Sequence, residues 1–104
     1  MTRSYILFGS NQGDKKALLE QACALINSRC GLLVERSSDY TTEPWGFDAE
    51  EWFLNVLLVV ETELERDALM DALWGIEASL GRVPKPGQQG YSSRTVDLDI
   101  LYYG

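Results

Sequence analysis

The sequence predicts an α+β domain in which two helices cover one face of a four-stranded antiparallel sheet, in the order β-α-β-β-α-β. Three observations lead there. Apolar runs of strand character and apolar stripes at helical spacing follow one another along the chain in that order, with turn residues at the boundaries. The length of 104 residues allows one two-layer core but not two. A hydrophobic content of 45% with 11% aromatics is ordinary for a folded globule. The ferredoxin-like βαββαβ plait satisfies that order at this length, with residues 1–104 as a single domain.

Each element has a local reason. Tyr5 to Phe8 is apolar on both faces, as in a central strand, and runs into the turn signal Gly9-Ser10-Asn11-Gln12-Gly13-Asp14. Asp14 can cap the next helix, in which Leu18, Ala22, Leu25 and Ile26 recur at helical spacing and Gly31 supplies the stop. Leu32 to Thr42 is expected as one strand, with Leu32, Val34, Ser38 and Tyr40 on one side and Leu33, Glu35, Ser37 and Asp39 on the other. A loop from Glu43 to Glu51 leads to Phe53–Thr62, the most strand-like run in the chain.

Thr62-Glu63-Leu64-Glu65 has the form of a capping box, and Leu69, Leu73, Ile76 and Leu80 then mark a second amphipathic helix ending at Gly81. From Arg82 to Ser93 the periodicity fails, and Pro84, Pro86, Gly87 and Gly90 make a long loop. The final strand, from about Thr95 to Tyr103, places Asp97 and Asp99 on one face, with Leu101 and Tyr103 further along it. Val96, Leu98, Ile100 and Tyr102 line the other face. The sheet face not covered by helices is therefore polar at one end and apolar at the other.

Composition narrows the function. With 9 basic against 16 acidic residues the net charge is -7, which argues against nucleic acid or an anionic membrane as a partner and points to small molecules or cations. Cys23 and Cys30 are too few for a secreted disulfide framework, so a reduced, cytoplasmic protein is expected. The apolar run near Met1 is too short for a signal peptide or a membrane span. Histidine is absent, which excludes His-based triads and His-ligated zinc. Polar chemistry must come from carboxylates, Arg, Lys, Asn, Thr and backbone.

Three constellations could carry such chemistry. Asp97 and Asp99 suit Mg²⁺, which takes oxygen ligands and shares its shell with water and phosphate; the alternative is a solvated strand face or charges that deter edge pairing. Arg82, Lys85 and Arg94 lie in a stretch between Glu77 and Asp97 that holds no acidic residue, and they offer phosphate contacts; the alternative is a solvated loop. Phe53 and Asn55, with Thr42, combine an aromatic face, an amide and a hydroxyl suited to a flat heterocycle; the alternative is a half-buried strand with a polar rim. Gly9-Ser10-Asn11 reads as a plain β-to-α turn. Trp45, Phe47 and Trp52 are core cover or a lid.

Taken together the motifs resemble the 6-hydroxymethyl-7,8-dihydropterin pyrophosphokinase family of folate biosynthesis. They are Gly9-Ser10-Asn11, Tyr40-Thr41-Thr42-Glu43-Pro44-Trp45-Gly46, Phe53-Leu54-Asn55, Ile76-Glu77 with Gly81-Arg82, and Arg94 through Leu101, in the family's order over nearly the whole chain. The resemblance implies the plait fold and transfer of pyrophosphate from ATP, as cosubstrate, to the pterin hydroxymethyl group, with release of AMP and two Mg²⁺ ions. It implies Asp97 and Asp99 as metal ligands, with Arg82 and Arg94 beside them in catalysis. Thr42, Pro44, Trp45, Gly46, Phe53 and Asn55 correspond to pterin-binding positions, and Asn11, Glu77, Arg82, Lys85, Tyr91 and Arg94 to nucleotide-binding ones.

Departures accompany the resemblance. The family's pattern commonly continues past the final strand, with an ATP-contacting segment and a second aromatic for the pterin, so the resemblance implies a form shortened at its C-terminal end. Trp74 replaces a polar residue, Pro84 a basic one, and Ser93 a common proline. Members are expected as monomers. The alternative for this chain is a noncatalytic plait module that binds a pterin or self-associates through its uncovered face.

Overall fold

A computed structural model describes residues 1–11, 14–42, 53–81 and 96–104. The elements are β1 (Thr2–Ser10), α1 (Lys15–Arg29), β2 (Leu32–Arg36), β3 (Tyr40–Thr42), β4 (Phe53–Thr62), α2 (Arg66–Ser79) and β5 (Asp97–Tyr103). The sheet runs β2-β4-β1-β5 with antiparallel neighbours, and β3 pairs with β4 on the same side as β2. With β2 and β3 taken as one interrupted edge, this is the four-stranded plait with two helices. β1 is longer than its apolar run because it is central: β4 and β5 satisfy its backbone from both sides.

The covered face follows from alternation. Ile6 and Phe8 on β1, Leu54, Val56, Leu58 and Val60 on β4, and Leu98 on β5 all point to the helices. They meet Leu19, Ala22 and Ile26 of α1 and Leu69, Leu73 and Ile76 of α2 in one core. Burial of each such aliphatic or aromatic side chain stabilises the fold by about 1.5–3 kcal/mol before chain entropy is set against it. Leu18 and Leu25, expected on the buried stripe of α1, flank it, and Leu19 and Cys23 lie within it.

The first helix begins and ends as its sequence indicates. Asp14 accepts the Ala17 N–H at 3.1 Å, and Gly31 at φ +156° follows the Cys30 cap. A Cβ on Gly31 would overlap the Glu61 carbonyl oxygen and the Thr62 Cα, so close approach of β4 requires glycine there. Among the described residues no helix is long and apolar enough to cross a membrane.

Three expectations are corrected. The single strand over Leu32–Thr42 is two strands, because Ser37 breaks off to bond Leu57: its N–H donates to the Leu57 carbonyl and its Oγ accepts the Leu57 N–H, both at 2.8 Å. A register shift at Val34 also turns Glu35 to the uncovered face and Arg36 to the helix side, where it pairs with Glu20 at 2.9 Å. The expected capping box does not form. Thr62 ends β4 with its hydroxyl buried, donating to the Cys30 carbonyl at 2.5 Å and accepting the Leu64 N–H at 3.0 Å, and α2 starts later, after Glu65.

The third correction concerns β5. Ile100 lies opposite Ile6 but Tyr102 lies opposite Tyr5, so Leu101 is an inserted bulge residue and the parity beyond it is reversed. Tyr102, not Tyr103, joins the uncovered face, where its ring meets Tyr5 edge-on at 5.8 Å between centroids. Tyr103 turns to the helix side, and its hydroxyl donates to the Leu64 carbonyl at 2.7 Å.

Candidate active site

The uncovered face presents Arg3, Tyr5, Leu7 and Gly9 from β1, flanked by alternate residues of β4 and β5. One transverse row is decisive: Asp97 on β5, Gly9 on β1, Asn55 on β4 and Tyr40 on β3 are register partners in succession. With strands about 4.8 Å apart, Asp97 and Asn55 stand about 10 Å apart across a position that carries no side chain. Gly9 is itself buried, and a Cβ on it would meet Asn55 Oδ1 at an ordinary 3.7 Å, so what the glycine leaves in the row is a hollow of side-chain size between the two polar groups. Half-buried Phe53 lies two residues before Asn55 on the same face, and the Asn55 Nδ2 donates to the Phe53 carbonyl at 3.3 Å. Thr42 lies opposite Phe53 in the register.

On the other side of the hollow, Asp97 is half-buried and Asp99, opposite Leu7, is exposed. Among the described residues no group of three or more His, Cys, Asp or Glu side chains gathers to hold a metal. Asp97 and Asp99 are two carboxylates on one strand face, open to a cation with few protein ligands. That fits Mg²⁺, which is held by one or two carboxylates and completes its octahedron with water and phosphate oxygens, and it does not fit a closed zinc site. At the far end of β5 from Asp97, a groove of about 260 Å³ runs between the start of α2 and the strand, lined by Arg66, Met70, Ile100, Leu101, Tyr102 and Tyr103.

Comparison with known proteins gives the family. Residues 5–104 match the family of 7,8-dihydro-6-hydroxymethylpterin-pyrophosphokinase (HPPK). The chain belongs to that family. The 2-amino-4-hydroxy-6-hydroxymethyldihydropteridine pyrophosphokinase of Methylorubrum extorquens is 41% identical over 104 residues, which are 99% of this chain and 64% of the relative. Its counterpart in Bacillus subtilis is 37% identical over 101 residues, 96% of this chain and 59% of the relative. The chain therefore spans less than two thirds of the length of these curated relatives. A solved structure of an HPPK-DHPS in complex with substrates superposes with a TM-score of 0.74 over 98% of this chain and 27% of that one; at 16% identity this shows a shared fold.

Within this HPPK fold the structure brings Asp97, Asp99, Phe53 and Asn55 to one end of one face, with Thr42 at the adjoining register position. Asn11, half-buried, lies just beyond β1 at that end. Pro44, Trp45, Gly46, Arg82, Lys85, Tyr91 and Arg94 lie outside the described residues. Glu77 is placed differently from the nucleotide-facing position expected of it: it is buried on the helix side, and its Oε2 accepts the Leu98 N–H at 2.7 Å.

Gly9 is the site residue that sequence reasoning missed. Its turn-like neighbours concealed that it continues the open-face series Arg3, Tyr5, Leu7 in steps of two.

Proposed function

We propose that this chain carries the site for transfer of pyrophosphate from ATP to 6-hydroxymethyl-7,8-dihydropterin, with release of AMP. The observation that carries the proposal is the Asp97–Gly9–Asn55 row, which places a metal-type carboxylate and a heterocycle-type amide on opposite sides of one hollow. The family and the names of its relatives support the same activity.

In this reading Asn55 and Thr42 hydrogen-bond the donors and acceptors of the pterin edge, and Phe53 stacks on its face. Pro44, Trp45 and Gly46 are assigned to pterin binding by the family resemblance. Asp97 and Asp99 would hold the Mg²⁺, of which the family resemblance implies two ions. When bound, the metal supplies neutralisation of phosphate charge and alignment for in-line displacement. Arg82 and Arg94 stabilise the charge on the transferring group, and Lys85, Tyr91 and Asn11 contribute to the nucleotide site. The pterin hydroxyl oxygen bonds to the β-phosphorus, the bridging bond from that phosphorus to the α-phosphate oxygen breaks, AMP leaves with the electron pair, and the hydroxyl proton passes to water. The protein acts in the cytoplasm on small molecules, without nucleic acid.

The test is AMP formation from ATP and the hydroxymethyl pterin with Mg²⁺, comparing the chain with Asp97→Asn. The expected loss is about 10²-fold or more with unchanged circular dichroism. Equal AMP release from the two proteins would refute the metal assignment, and pterin binding without AMP release from either would favour the noncatalytic module.

A further inference from the structure

A buried carboxylate behind the sheet touches the strand that carries both metal-site aspartates. Glu77 is only 3% exposed, on the stripe of α2 that also buries Leu73 and Ile76. Carboxylates are almost never that buried without a partner, because desolvation is costly. Its Oε2 accepts the N–H of Leu98 at 2.7 Å, a length typical of a charge-assisted bond. Leu98 is the residue between Asp97 and Asp99, and its own side chain is fixed in the core at 1% exposure.

Among the described residues β5 is an edge strand, paired with β1 on one side. In an antiparallel ladder the N–H groups alternate between pointing at the neighbour and pointing away. Glu77 thus gives the β5 backbone, midway between the two aspartates, an acceptor where an inner strand would have a second neighbour. Glu77 is no third ligand, since no cluster of three metal-binding groups exists among the described residues. We propose that Glu77 is a positioning residue: by holding the Leu98 amide it fixes the edge strand so that Asp97 and Asp99 present their carboxylates at the spacing a divalent cation needs. Groups behind a metal's ligands commonly set its affinity in this way.

The proposal rests on the assignment of Asp97 and Asp99 as metal ligands, and its test separates the two. Mn²⁺ affinity is measured by electron paramagnetic resonance on the full chain with a nonhydrolysable ATP analogue, and Leu98 amide exchange by nuclear magnetic resonance. Glu77→Ala is expected to weaken Mn²⁺ binding about tenfold and to accelerate Leu98 exchange. Glu77→Gln, which keeps an acceptor oxygen, is expected to restore most of both. Parental affinity in a folded Glu77→Ala protein overturns the proposal, as does a Glu77→Gln protein that binds Mn²⁺ no better than Glu77→Ala. Where Glu77→Ala does not fold, Glu77→Asp decides, since its carboxylate is one methylene short of the amide: weaker binding than Glu77→Gln supports the role, and equal binding overturns it. Should the parent bind Mn²⁺ no better than Asp97→Asn, the metal assignment itself has failed, and the positioning role with it, whatever the Leu98 exchange shows.

Discussion

The two halves of the uncovered sheet face are built from the same three strands and behave as different surfaces. At one end Asp97, Gly9 and Asn55 form a polar row around a position without a side chain. At the other, Tyr5, Leu57, Leu101 and Tyr102 line an apolar hollow of about 290 Å³, with Leu101 59% and Tyr102 60% exposed. The boundary falls at Leu7 and Leu57, beside Asp99. Beyond it a bulge adds a residue to β5 and brings two large side chains onto the face where regular alternation would bring one. The helix-covered side keeps one apolar core throughout. Function is thus separated from stability between the faces, and chemistry from apolar surface along one face.

Filling the polar hollow should produce the largest effect on that contrast. Gly9→Leu puts a branched side chain between Asp97 and Asn55, and pterin affinity, read by fluorescence titration, should fall at least about tenfold, or about 1.4 kcal/mol. The melting temperature should hold, because the new side chain points away from the core. Retained pterin affinity would mean that the ring sits elsewhere.

A change in the apolar half should do the reverse. Tyr102→Ser removes the edge-on contact with Tyr5 and should cost about 1 kcal/mol in urea unfolding, with pterin and metal affinities unchanged. A drop in either affinity would erase the proposed division.

A third effect, confined to alkaline pH, lies behind the apolar half. Burial pushes the Cys30 thiol from 9.0 up to about 11, so the unfolded chain loses this proton first as pH rises. The stability this thiol contributes is complete below pH about 9 and is lost as pH rises to about 11. The slope of urea midpoint against pH in that window should flatten in Cys30→Ala relative to the parent; identical slopes would contradict the assignment.

Most of the fold and half of the site were legible in the sequence, for reasons that differ by residue. The same-face placement of Asp97 and Asp99 holds because strict alternation survives up to Ile100. The bulge was not legible, because Ile100, Leu101, Tyr102 and Tyr103 are all apolar and either parity satisfies such a run. Ser37 and Thr62 misled through their hydroxyls. Each makes a tertiary bond, to Leu57 and to Cys30, that overrides the local pattern. Gly9 carries turn chemistry by type, yet pairing on both sides keeps it in β1. Glu77 sits beside Ile76 on the buried stripe, and its bond to the Leu98 amide is a tertiary contact that local sequence does not show.

The central claim is that cation and phosphates gather at the polar half alone. Paramagnetic broadening by Mn²⁺ tests it most directly, with a nonhydrolysable ATP analogue present and backbone amides observed by nuclear magnetic resonance. The expected result is broadening strongest at Gly9, Asp97, Leu98 and Asp99 that falls off with distance towards Val59 and Tyr102, and recovery of the broadened signals in Asp97→Asn. Broadening centred on Glu61 and Glu63, or spread evenly over both halves, would contradict the account.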